Sequence, residues 1–141
     1  MVPSSFKVPV PFGYAFPHGA LALSVEAVTD FDRRDQADSQ ARDKETGRRL
    51  WAVSVMDLDP SATRFGRDRV KVKIAADTAP VLPASVVPGY PPAVAFTDLV
   101  LVPWVDDAKC RGSGGGNKCR ARMAFSMRAS TVVHADTPTG T

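Results

Sequence analysis

A chain of 141 residues, 44% of them apolar, has the length of one domain and enough apolar content for a core. It contains no apolar run approaching the roughly 20 residues of a membrane helix. A net charge of +3 excludes a bulk polycation. That value hides an asymmetry. Glu26, Asp30, Asp32, Asp35, Asp38, Asp43, Glu45, Asp57 and Asp59 crowd one stretch, while Lys109, Arg111, Lys118, Arg120, Arg122 and Arg128 follow later with no acid among them.

The start, MVPSSFKVPVPFGYAFP, is broken by prolines and lacks the pattern of a signal peptide, so a cytoplasmic location is expected. Residues 1–11 are expected to be loosely attached, one domain to span 12–133, and 134–141 to form a disordered tail. His18, in FPHG, belongs in a turn. Ala20 to Val28 alternates as a strand, with Leu21, Leu23, Val25 and Ala27 on one face. Thr29 to Arg49 is long and charged and has no apolar stripe to bury, so it reads as a solvated loop, at most with a turn of helix. Leu50 to Asp57 is a second strand, with Trp51, Val53 and Val55 together.

Asp59 to Asp68 is punctuated by Pro60 and Gly66 and reads as a hairpin loop. Arg69 to Ala75 alternates strictly, with Val70, Val72 and Ile74 inward and Lys71 and Lys73 outward. Ala76 to Pro92 is proline-rich and crosses over without a helix. Ala93 to Pro103 is a longer apolar strand. Asp106 to Arg120 is a glycine-rich hairpin tip. Ala121 to Ala129 is the last strand, with Met123, Phe125 and Met127 inward and Arg122, Ser126 and Arg128 outward. The fold class expected is all-β: a small five-stranded antiparallel OB-like barrel with long charged loops. A Greek-key sandwich or another small barrel shares the pattern. The proline-rich crossover stands where an OB-fold usually places a helix.

Chemistry in the chain points to binding. Lys71, Lys73, Arg122 and Arg128, flanked by Arg69 and Arg120, form one basic face if the third and fifth predicted strands are neighbours. Arg48, Arg49, Arg64, Arg67, Lys109, Arg111 and Lys118 lie on loops that could rim it. Single-strand binders combine such a groove with aromatic platforms for bases. Phe65 and Trp104 are the candidates, whereas Trp51 falls with the core residues Val53 and Val55. Phosphate backbone is the commonest partner of such charge.

Cys110 and Cys119 flank the glycine-rich tip. Two cysteines cannot complete a structural zinc site. A reduced pair fits a cytosolic setting best, and a disulfide closing the tip comes second. There is no nucleophile elbow, phosphate-binding glycine loop or H-E-x-x-H, so no enzyme, metal or cofactor is expected.

Segment order and motifs carry a resemblance. FPHGALAL, DKETGRRLWAVSVMDLDP, RVKVKIAA, FTDLVLVPWVDD and KC…KCRARMAFSMRAS, in that order over roughly Pro11 to Ser130, resemble the plasmid replication, integration and excision activators of actinobacterial integrative and conjugative elements. The most specific parts are K-x-T-G-x-x-x-W-x-V (Lys44 to Val53) and C-R-x-R-x-A-F-S-x-R-A (Cys119 to Ala129). The first is also similar, over a short span, to the start of a strand in OB-fold single-strand DNA-binding proteins. The resemblance implies a role in replication and transfer of a mobile element, through DNA or a replication protein, and brings no catalytic residues.

The reading is therefore a non-enzymatic single-stranded DNA-binding protein, with no membrane contact and as a homo-oligomer paired through an exposed edge strand. The alternative is a protein-interaction module that recruits a replication initiator or acts as a transcriptional activator. No helix-turn-helix pattern is present for duplex recognition.

Overall fold

The computed structural model describes residues 7–106 and 122–135. One sheet dominates it. Its strands are β1 (Val8–Pro9), β2 (Ala20–Ala27), β3 (Leu50–Asp57), β4 (Arg69–Ala75), β5 (Ala93–Thr97), β6 (Val100–Asp106), β7 (Arg122–Ala129) and β8 (Thr131–His134), with two short helices, α1 (Phe12–Ala15) and α2 (Pro60–Arg64). They lie in the order β1-β6-β7-β4-β3-β2-β5-β8.

The closed five-strand antiparallel barrel is not what forms. The sheet has eight strands, is strongly curled into a half-barrel, and is mixed, because β4 and β7 run parallel. Three local causes raise the strand count. The apolar run Ala93 to Pro103 breaks at Asp98, whose φ of 51° is left-handed and cannot continue a strand. Opposite it, the last strand breaks at Ser130, which separates β7 from β8. Val8 and Pro9 add β1 by pairing with Leu101 and Val100, although they lie in the segment expected to be loose.

β5 and β6 pair with β8 and β7 in one continuous antiparallel register, from Val94 opposite His134 to Asp106 opposite Arg122. The break at Asp98 and Ser130 thus bends a single long hairpin. One half, through β5, joins β2, and the other half, through β7, joins β4.

The core fills the inside of the curl. Val53 and Val55 of β3, Val72 and Ile74 of β4, and Val94 and Phe96 of β5 are buried with Leu99. Each such side chain contributes about 1.5–3 kcal/mol of apolar burial. Phe16, just past α1, is also core, stacking on Phe12 at 5.2 Å between ring centroids and lying 6.4 Å from Phe96.

In β2 the buried residues are Ala20 and Ala22, not Leu21 and Leu23. The register with β3 shifts between Ala22 and Ser24, a bulge that consumes Leu23 and returns Val25 to the face of Val53. Trp51 is half-buried beside Ile74, and its indole N–H donates to the Ala76 carbonyl at 2.9 Å. The segment after β4 crosses over without a helix, as its prolines require.

Asp59 caps α2 by accepting from the Ser61 N–H at 2.9 Å, with Pro60 at the first helical position. D-P-S is the sequence sign of a helix start, so part of the expected hairpin loop is helical. The 29–49 segment is not simply solvated. Thr29 bridges to Gln40 and Arg42 to Arg49, and the Gln40 amide donates to the Leu50 carbonyl at 2.9 Å. It folds back beside the start of β3, where the Leu50 N–H donates to the Ala41 carbonyl at 2.9 Å, and Leu50 and Ala52 are buried as well.

Candidate functional site

On the outer face of the curl, register fixes a row that runs Val100, Arg128, Lys73, Ala52, Glu26 across β6, β7, β4, β3 and β2. Lys73 of β4 and Arg128 of β7 are direct partners. Two-residue alternation adds Arg69 and Lys71 along β4, both exposed. The strand adjacency on which the basic face depended is therefore present, through a parallel pairing. Trp104 pairs with Ala124, which shares the phase of Arg128, so the half-exposed indole lies on the same face of the sheet.

Acidic residues temper this face. Glu26 meets Lys71 at 3.0 Å, in an exposed pair of little energetic weight. Asp43 meets Arg128, whose Nη1 donates to Oδ1 at 3.3 Å. The Arg128 Nε is buried and has no hydrogen-bond partner. Among the described residues no carboxylate pairs with Lys73. Burial lowers the Lys73 pKa from its ordinary value, and the charge of Arg128 beside it lowers it further.

Asp43 organises the turn in which it sits. Its Oδ2 accepts from the Thr46 hydroxyl at 2.8 Å and the Thr46 N–H at 3.2 Å, and its carbonyl accepts from the Gly47 N–H at 2.8 Å. Burial pushes the Asp43 pKa up, but the Thr46 hydroxyl, the backbone N–H groups and Arg128 outweigh it, so the carboxyl titrates below its ordinary value. Gly47 closes the turn at φ 73°, with nothing within 4 Å of an added Cβ. Gly47→Ala is therefore expected to cost backbone strain alone, about 1 kcal/mol, read by urea denaturation. The K-x-T-G motif is this turn, and it brings Asp43 to Arg128.

A cavity of about 380 Å³ opens where the turn, β4, β7 and the bend of the long hairpin meet. Lys7, Arg48, Lys73 and Arg128 line it together with Asp43 and Asp98, and Leu50 and Val100 supply apolar wall. Lys7 also ties the amino-terminal segment to the turn through Glu45, at 3.1 Å.

Sequence reasoning missed Asp43, Thr46, Leu50, Lys7 and Asp98 as neighbours of the basic pair. The Asp-x-x-Thr-Gly spacing is a turn signal that could have found Asp43 and Thr46. Phe65 is exposed at the end of α2, with the Arg64 guanidinium 5.7 Å from its ring centroid. Because β4 and β7 are parallel, the Phe65 loop, Arg69 and the start of β7 lie at one end of the sheet.

Met123 and Phe125 do not point into a core: they are 65% and 54% exposed. β4 pairs with β7 only from Met127 to Ala129, so the first half of β7 has β6 as its neighbour among the described residues, and none of these buries its inner face. Lys109, Cys110, Arg111, Lys118, Cys119 and Arg120 lie outside the described residues, as does the side chain of Arg122. Among the described residues, no group of three or more His, Cys, Asp or Glu side chains could hold a metal, and no helix is long and apolar enough to cross a membrane.

Comparison of the chain with protein-family models, curated proteins and solved structures finds no match.

Proposed function

We propose that this chain is a non-enzymatic nucleic-acid-binding protein that prefers single strands and serves the replication, excision or transfer of a mobile element of the kind its motifs resemble. The observation that carries the reading is the direct pairing of Lys73 with Arg128 on the face that also bears Arg69, Lys71 and Trp104. Cations there meet phosphate, and the indole offers a stacking surface that tolerates any base. Strand order supports an OB-like relation in a partly open form. β2, β3 and β4 form a meander, β7 runs parallel to β4, and β5 returns to β2. OB-folds bind with their middle strands and with the loops after the first strand and before the last, which here are β3, β4, the 28–49 segment and the β6–β7 connection.

The test is a titration of a labelled oligothymidine of about twelve nucleotides, at about 50 and 200 mM salt. Affinity should fall steeply with salt, and Trp104→Ala should weaken it by about tenfold with no loss of stability. Absent binding, or binding indifferent to salt, would sink the reading. Exposed Val105, Met123 and Phe125, opposite Trp104 on the β6–β7 arm, favour a second reading as a protein-docking module. A complex with the element's replication initiator that survives nuclease treatment would select it.

A further inference from the structure

The cavity at the Lys73–Arg128 pair has features that a groove for passing backbone does not need. Two cations stand side by side at its wall, and neither is fully answered. Lys73 has no carboxylate partner among the described residues, and the Arg128 Nε is buried without an acceptor while Nη1 is taken by Asp43. Burial and the neighbouring Arg128 charge both disfavour the Lys73 ammonium, and an anion placed between the two cations relieves both.

The walls also limit what the anion can be attached to. Asp43 and Asp98 line the same cavity, so a strand running through it would bring its flanking phosphates toward carboxylates. A strand that ends there needs to place only one phosphate. A terminal phosphate monoester carries more charge than an internal diester, about −1.5 to −2 near neutral pH, which suits a pair of cations. Leu50, Val100 and Ala75 leave apolar wall for the sugar or base, and the volume lies in the range, about 300–1,000 Å³, of small-ligand pockets.

We infer that this cavity is a receptor for the phosphorylated end of a nucleic-acid strand, with the Lys73 ammonium and the Arg128 guanidinium holding the terminal phosphate and the apolar wall receiving the last nucleotide. The inference rests on the nucleic-acid reading and specifies it: the protein would hold strand ends rather than coat their length. Asp98 sets the selectivity against further negative charge.

The test compares labelled oligothymidines that end in 5′-phosphate, 3′-phosphate or hydroxyl only, with thymidine monophosphate and inorganic phosphate as free competitors. One phosphorylated end should bind about tenfold tighter than the hydroxyl-ended strand. Lys73→Met should abolish that preference, so that within the variant the phosphate-ended and hydroxyl-ended strands bind alike. Asp98→Asn, which keeps a side chain tolerant of the left-handed backbone, should strengthen phosphate-end binding several-fold. Thermal unfolding of both variants checks that the fold is kept.

Equal binding of all three strands overturns the inference and leaves single-strand binding standing, and so does a preference that survives Lys73→Met. If no oligonucleotide binds but thymidine monophosphate does, and Lys73→Met removes it, the cavity takes free nucleotides, and the strand-end inference falls together with the strand-binding reading. No binding of any probe overturns both.

Discussion

Phe16→Ala should lower the free energy of unfolding by about 3–5 kcal/mol, the usual cost of emptying a buried aromatic site. Phe16 is 2% exposed and touches both Phe12 and Phe96, so its removal opens a void that α1 cannot fill without moving. Tyr14, on the same four-residue helix, is 78% exposed, and Tyr14→Ala should change stability by no more than about 0.5 kcal/mol. Urea denaturation of both variants measures the contrast. Two similar losses would mean that the amino-terminal segment does not close the core as described.

Asp43→Ala should cost about 2–3 kcal/mol. The carboxylate accepts from Thr46 twice and from Arg128 once, and its loss leaves a partly buried guanidinium unanswered. The figure lies below the usual loss for a broken buried pair because the Arg128 side chain keeps 32% of its exposure.

Titration supplies an independent signature. The folded carboxyl titrates below the ordinary 3.8, so the stability it contributes is complete above that value and is lost as pH falls through the folded pKa. The gap between the parent and Asp43→Asn should therefore be constant from about pH 7 to 5 and should shrink below about pH 4. A gap indifferent to pH would mean that the charge of Asp43 contributes nothing to the turn.

The difference between what the sequence disclosed and what it hid has physical causes. Strict alternation in RVKVKIA exposed β4 and the outward set of Lys71 and Lys73 before any fold was known, because period two with one charged face is the mark of a half-buried strand. That Arg128 stands opposite Lys73 required β7 to lie parallel to β4, and nothing in either strand's own residues encodes its neighbour. Asp43 sat in a stretch with no apolar stripe and so looked solvated. Its burial comes from a turn and two isolated bridges, which hydrophobic periodicity does not register.

Leu21 and Leu23 were misplaced because a bulge moves every side chain on one side of it to the other face. Met123 and Phe125 satisfied the alternation perfectly and are nonetheless exposed, since alternation shows which side a residue faces and not whether anything is packed there. The basic tip and its cysteines, Cys110 and Cys119, lie outside the described residues.

The continuous register of the bent hairpin ties two properties of the protein to one variable. Its β5 half places Phe96 in the core, and its β7 half places Arg128 beside Lys73. A slip of one residue between the arms would turn Arg128 to the other face and pull Phe96 from its contacts in the same event. Packing and binding geometry are therefore coupled. An insertion within 93–106 or 122–134 that no local bulge takes up would shift both.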